Sequence, residues 1–182
     1  MHIGRIGPGA TASNLGMKTV ATSTTTVSNT TTETNLISYT IPANTVTNGM
    51  TFRIFCHGTT DNIGTASGTL IFKIRVHGGT PSTGAQVGTI TVSNQTIAKT
   101  EQNWSLDAVV TFRGAASSST PINGGGFFYS SMFGSSSGMG ASSGTTRNMT
   151  TDQQLAVTCT WQTADAGNIC RILDGYIELI KE

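Results

Sequence analysis

Hydrophobic and polar residues alternate most cleanly between Trp104 and Arg113. Trp104, Leu106, Ala108, Val110 and Phe112 fall on one side of an extended chain, and Ser105, Asp107, Thr111 and Arg113 on the other. This is the period-two pattern of a strand with one buried face. The same alternation points Met50, Phe52, Ile54 and Cys56 inward with Thr51 and Arg53 outward, and Leu70, Phe72, Ile74 and Val76 inward with Ile71, Lys73 and Arg75 outward. Leu155, Val157, Cys159 and Trp161 alternate in turn with Ala156, Thr158 and Thr160. Val20 to Val27 and Leu36 to Ile41 are rich in β-branched residues and predict two more strands, the second stopped at Pro42, which has no N–H for a ladder. Gly88 to Val92 predicts a weaker strand. Ile169 to Ile180 predicts a last one whose alternation shifts near Asp174-Gly175, as a bulge makes it.

Between these runs lie turn signals: Asn48-Gly49, a Gly/Ser/Asn-rich loop from Asp61 to Gly68, and His77-Gly78-Gly79-Thr80-Pro81. The segment from Gly114 to Asn148 is dominated by Ser and Gly. A structureless loop beyond about 15 residues is uncommon inside a compact domain. The segment therefore divides into a strand, Gly126 to Phe133, flanked by Ser/Gly turns. No amphipathic helix is predicted. The pattern predicts an all-β antiparallel sandwich of about eight strands over residues 20–182. A jelly roll is preferred because several connections are too long for hairpins, with an up-and-down barrel or immunoglobulin-like sandwich as alternatives. Residues 1–19 show no periodicity and form an extended N-terminal arm, whose apolar residues Ile3, Ile6, Leu15 and Met17 are expected to be pinned by another protein or subunit.

Charge changes this picture. Of 182 residues, 10% are charged and the net charge is +1, against roughly 25% charged in ordinary soluble domains. A surface of Thr, Ser, Asn and Gly solvates itself without repelling a neighbour and suits close packing of many copies. The ten basic residues are scattered, which argues against a nucleic-acid partner. No apolar run approaches the roughly 20 residues of a membrane span. The beginning MHIGRIGPGA lacks a signal-peptide core, so neither a membrane nor standard export is expected. Cys56, Cys159 and Cys170 lack CxxC spacing and are expected to be reduced, buried thiols.

No residue set reads as a reaction centre. Alternation puts Cys56 and His57 on opposite faces, and neither they nor His77 have zinc-like spacing to further ligands, so no metal and no cofactor are expected. The Ser runs at 117–119 and 135–137 lack a nucleophile-elbow context, the nine carboxylates are scattered, and Gly124-Gly125-Gly126 has no lysine or helix after it. No catalytic residue is nominated. In the aromatic run, Phe127, Tyr129 and Phe133 share one face of a strand and Phe128 and Met132 the other. Apolar load on both faces suits a strand buried by its own core on one side and by a neighbouring subunit or loops on the other, making Phe128, Tyr129, Met132 and Phe133 candidate inter-subunit contacts.

The segments TNLISYTIPANTVTNGMTFRIFCHGT, NWSLDAVVTFR and LAVTCTWQTADAGNICRILDGYIELI resemble small all-β structural proteins of tailed bacteriophages, over most of residues 20–180. The resemblance implies a jelly-roll domain that forms homotrimers on the virion exterior, assembled in the bacterial cytoplasm, as a capsid decoration or cement protein or a head fibre. It implies no catalytic residues. Its expected partners are further copies of the chain and the major capsid protein or another virion protein, gripped by the arm. The alternative expectation is a receptor-binding fibre tip that recognises a host-surface glycan through its Ser/Gly/aromatic loops.

Overall fold

A computed structural model describes residues 16–21, 24–63, 68–92, 99–131, 135–141 and 144–182. These residues form twelve strands rather than about eight, and no α-helix. In chain order they are β1 (Gly16–Ala21), β2 (Thr26–Ser28), β3 (Thr34–Ile41), β4 (Thr51–Asn62), β5 (Leu70–His77), β6 (Ala85–Val92), β7 (Lys99–Phe112), β8 (Thr120–Ser130), β9 (Ser135–Ala141), β10 (Thr145–Arg147), β11 (Gln153–Trp161) and β12 (Asn168–Lys181). All pairings are antiparallel. A front sheet runs β1–β12–β4–β7–β8, with β2 also on β12 and β10 on β8; a back sheet runs β3–β11–β5–β6. Strand β9 pairs with β8 over five positions and then with β6 through Gly140 and Ala141, joining the sheets along one side into a nearly closed barrel.

The alternation of the sequence is the inside and outside of this structure. Every inward position named above on β4, β5, β7 and β11 is buried. Phe72 of the back sheet packs against Trp104 and Phe128 of the front sheet, with ring centroids 4.9 and 4.7 Å apart. Gly58 lets the chain pass close to this cluster: a Cβ there would collide with the Arg171 carbonyl oxygen and stand 2.7 Å from the Trp104 ring. The shift near Asp174 is a register irregularity between Ile172 and Asp174 on β12.

Three expectations change. The Ser/Gly tract 135–141 is a strand, not a turn, because its backbone completes the ladder of β8 while Met139 reaches the core. The Asp61 to Gly68 loop starts later, since β4 runs on to Asn62. Gly16–Ala21, four of whose residues were assigned to the arm, pair with β12 from Leu179 to Gly175; residues 1–15 lie outside the described residues.

On the outside of the back sheet, Arg75 and Thr158 are buried although alternation points them outward. The segment before β3 crosses over them. There Glu33 accepts Arg75 Nε and Nη2 (2.8 and 2.9 Å), Lys73 Nζ (3.0 Å) and Thr158 Oγ1 (2.7 Å). Burial alone would raise the Glu33 pKa; the hydrogen bonds from Arg75, Thr158 and Lys73, with the Arg75 charge, outweigh it and lower it to about 2. His77 beside this cluster is fully buried, accepts the Gly79 N–H at Nδ1 (3.2 Å) and faces Asn35 Oδ1 through Nε2 (3.2 Å). Burial and the Arg147 charge lower its pKa, a shift that Glu33 opposes and Arg75 reinforces.

Both shifts have the same sign for stability. Each group is more readily protonated unfolded than folded, so each contributes stability that is complete above its unfolded pKa and lost as pH falls through its folded one. The urea midpoint should decline below pH 6.5 as His77 titrates and further from pH 4.5 to about 2 as Glu33 titrates. Glu33→Gln, which leaves the buried Arg75 and the partly buried Lys73 without their counter-ion, should cost roughly 3 kcal/mol at neutral pH and remove the lower of the two declines. Gly58→Ala should destabilise by about 3 kcal/mol through overpacking, read by the same denaturation.

Candidate interaction face

Strands β12, β4, β7 and β8 turn their second face outward, and cross-strand register fixes what that face carries. One row reads Val20, Tyr176, Phe55, Asp107 and Phe127 from β1 to β8. The row on one side reads Glu178, Arg53, Val109 and Gly125; the row on the other reads Asp174, His57, Ser105 and Tyr129. Phe127 is 71% exposed, Tyr129 45%, Val20 43% and Val109 41%. Leu173 and Ile180 of β12 are also exposed. Six of the seven large apolar residues exposed among the described residues, all but Ile63, thus belong to β1, β7, β8 and β12.

The inner face explains this exposure. Phe128 is buried against Phe72 and Trp104, and neighbours on a strand point opposite ways, so Phe127 and Tyr129 are driven out. Gly124 and Gly126 keep the inner side of β8 thin: a Cβ on Gly124 would collide with Val87, and one on Gly126 would stand 2.5 Å from the Ala108 Cβ. On the outer face, Phe55 lies 5.7 Å from Tyr176 and 6.2 Å from His57 between ring centroids. Arg53 donates to Asp107 through Nε (3.1 Å) and Nη2 (2.7 Å). This bidentate pair is about half exposed, so it orients two side chains while contributing little to stability.

The residues nominated from the sequence are distributed unevenly over this geometry. Tyr129 lies on the outer face. Phe128 does not: only 2% exposed, it belongs to the core, and its place on the surface is taken by Phe127. Met132 and Phe133 lie outside the described residues, as do Ile3, Ile6 and Leu15. The Met17 backbone sits in β1 opposite Glu178. Phe55 and Tyr176 went unnominated, although each is an aromatic residue in the polar phase of a strand, a signal that could have found them. His57 lies on the outer face and His77 beneath the Glu33 crossing, and among the described residues no group of three or more His, Cys, Asp or Glu is placed to hold a metal ion. Cys56, Cys159 and Cys170 are free and buried, and burial pushes the Cys56 and Cys170 thiols up, away from the reactive thiolate.

Phe127→Ser should leave the urea midpoint nearly unchanged, within about 0.5 kcal/mol, whereas Phe128→Ala should cost about 4 kcal/mol. No family model, curated protein or solved structure matches the chain.

Proposed function

We propose that the chain is a non-enzymatic structural subunit of a tailed-bacteriophage virion: a homotrimeric decoration or cement protein on the capsid exterior, assembled in the host cytoplasm. The observation that carries this reading is the outer face of the front sheet. Five strands spaced about 4.8 Å apart and roughly eight residues long give a face of about 24 by 27 Å. That approaches the ~800 Å² that each partner contributes to a stable interface. Its exposed aromatic and aliphatic side chains surround the neutralised Arg53–Asp107 pair, with the carboxylates of Glu178 and Asp174 confined to β12, a composition suited to burial against further copies of itself. The three-fold count comes from the resemblance of the sequence to phage structural proteins. Phe127, Tyr129, Phe55 and Val109 are the inter-subunit contacts in this reading, and the arm, with Ile3 and Ile6 at its far end, grips the major capsid protein or another virion protein.

The fold proposed with this function is a jelly roll. Two four-stranded orders support it: β1–β12–β4–β7 in front and β3–β11–β5–β6 behind. Each sets an early strand beside a late one and follows them with two from the middle of the chain, as a doubled-over hairpin does when rolled up. In this view β8, β9 and β10 are an excursion after β7, and β2 extends the edge begun by β1.

A subunit that binds only the assembled shell stabilises it by mass action. Particles lacking the protein should therefore release their genome at a lower temperature than complete ones; equal heat stability would count against a cement role. The purified chain should sediment as a trimer, and Val109→Asp with Phe127→Asp should yield a folded monomer. The exposed Phe127 ring also favours a second reading, a fibre tip on which a glycan stacks. A monomeric wild-type protein that binds host cells would establish that reading instead.

A further inference from the structure

The connection from β5 to β6, residues 78–84, is held by polar contacts more than by burial. It contains a short 3₁₀ turn, Pro81–Thr83, that buries no residue, and Gly78, Gly79 and Thr80 are exposed. Three side chains tether it to the barrel. Arg75 Nη1 donates to the Gly84 carbonyl (3.0 Å) and Arg147 Nη1 to that of Thr83 (3.4 Å). The third tether runs the other way, from the Gly79 N–H to His77 Nδ1 (3.2 Å). A backbone N–H can only donate, so Nδ1 must present a lone pair. Nε2 then carries the proton of the neutral ring and donates it to Asn35 Oδ1 (3.2 Å), whose own Nδ2 donates onward to Gln154 Oε1 (3.0 Å). Both ring nitrogens are thus committed, in a residue with no exposed surface.

We propose that this turn is a proton-operated latch: a proton taken by His77 at Nδ1 displaces the Gly79 N–H, and residues 78–84 come free of the end of β5 while both sheets stay folded. The protonated ring has two N–H groups and no acceptor, so Nδ1–H and the Gly79 N–H meet donor to donor. The surroundings do little to hold the new charge in place. Arg75 on β5 and Arg147 on β10 repel it, and Glu33 before β3, which attracts it, is already engaged by Arg75 and Lys73. The neighbouring strands offer neutral groups: Asn35 on β3, Gln153 and Gln154 on β11, and Ala85 and Gln86 at the start of β6. What stands between the ring and solvent is the turn itself, which lies so close that a Cβ on Gly84 would be 2.5 Å from the His77 Cβ. Its departure also frees Arg75 and Arg147 from the Gly84 and Thr83 carbonyls, so the open form presents a cluster of cations that the closed form covers. The sign of the linkage is fixed. With the turn open, His77 returns toward its ordinary pKa of 6.5; with it closed, burial first and then the Arg147 charge hold the pKa lower. Acid therefore favours opening, by up to about tenfold per pH unit between those two values. The inference does not depend on the virion reading.

The experiment follows the ¹⁵N-labelled full-length chain by NMR from about pH 7.5 to about pH 4.5, a range in which Glu33, its pKa at about 2, stays ionised. The Gly79 amide and the His77 Cε1–H resonances should move with one common midpoint. Over the same titration the backbone order parameters of Gly79, Thr83 and Gly84 should fall from about 0.85 to below about 0.6, while that of Val157, buried in β11, stays rigid. His77→Gln, which has no ring to titrate, should abolish the pH dependence of the turn; the wild-type titration decides the matter by itself where that variant does not fold. A turn that stays rigid down to the acid end would overturn the proposal. So would a loss of order whose midpoint differs from that of His77, a folded His77→Gln chain whose turn still loosens at the wild-type midpoint, or a Val157 signal lost together with the turn, because the event would then be global unfolding.

Discussion

The wedge of Phe72 between Trp104 and Phe128 holds the two sheets in register. One ring from the back sheet contacts two from the front at 4.7 to 4.9 Å between centroids, and the Trp104 indole donates to the Thr59 carbonyl on the adjacent strand. Large aromatic rings dominate the energetics of such a core. Phe128 has a second effect because β8 has no freedom to slip: a shift of one residue would exchange its faces. With Phe128 inward, Phe127 and Tyr129 must meet the outside. The exposed aromatic face is the geometric complement of the core, and no separate feature of the sequence is needed to produce it.

Charge is scarce in this chain, and where the described residues pair it, it ties distant pieces together. Arg53–Asp107 joins β4 to β7, Arg171–Asp61 joins β12 to β4, and Glu33 fastens the segment before β3 across β5 and β11. The first lies half exposed and acts as a local orienting contact. The third is largely shielded from water, so removing Glu33 leaves two cations without a counter-charge in a poorly hydrated site, whereas removing either cation leaves a balanced pair. On the front face this scarcity leaves the neutralised Arg53–Asp107 pair with the carboxylates of Glu178 and Asp174 beside it on β12.

The strands legible from the sequence were those whose side chains alternate: Met50 to Cys56, Leu70 to Val76, Trp104 to Phe112 and Leu155 to Trp161. The bulge was legible too, because Asp174-Gly175 interrupts an otherwise regular phase. Strand β9 was not, since Ser135–Ala141 has one large apolar residue, Met139, and is held by backbone pairing to β8, to which side-chain pattern is blind. The burial of Arg75 and Thr158 was equally invisible. It depends on Glu33 arriving from 42 residues before Arg75 and 125 before Thr158, and a lone glutamate among threonines gives no sign of its destination. On the candidate face, Tyr129 was legible because its strand carries apolar residues on both faces, whereas Phe55 and Tyr176 needed the register of four strands to bring them into one row.

Strand β12 bears both β1 and β2 along one edge and pairs with β4 along the other. During synthesis the two strands of that edge emerge before β4 and well before their shared partner. Until β12 leaves the ribosome, β1 and β2 have no ladder to join and β4 lacks one neighbour, so the front sheet is completed only once β12 has emerged. A nascent chain of this kind exposes unpaired strand edges from the emergence of β4 to that of β12, a period in which β-rich proteins are prone to associate wrongly. β1 and β2 are only six and three residues long, so the edge each presents through that interval is short.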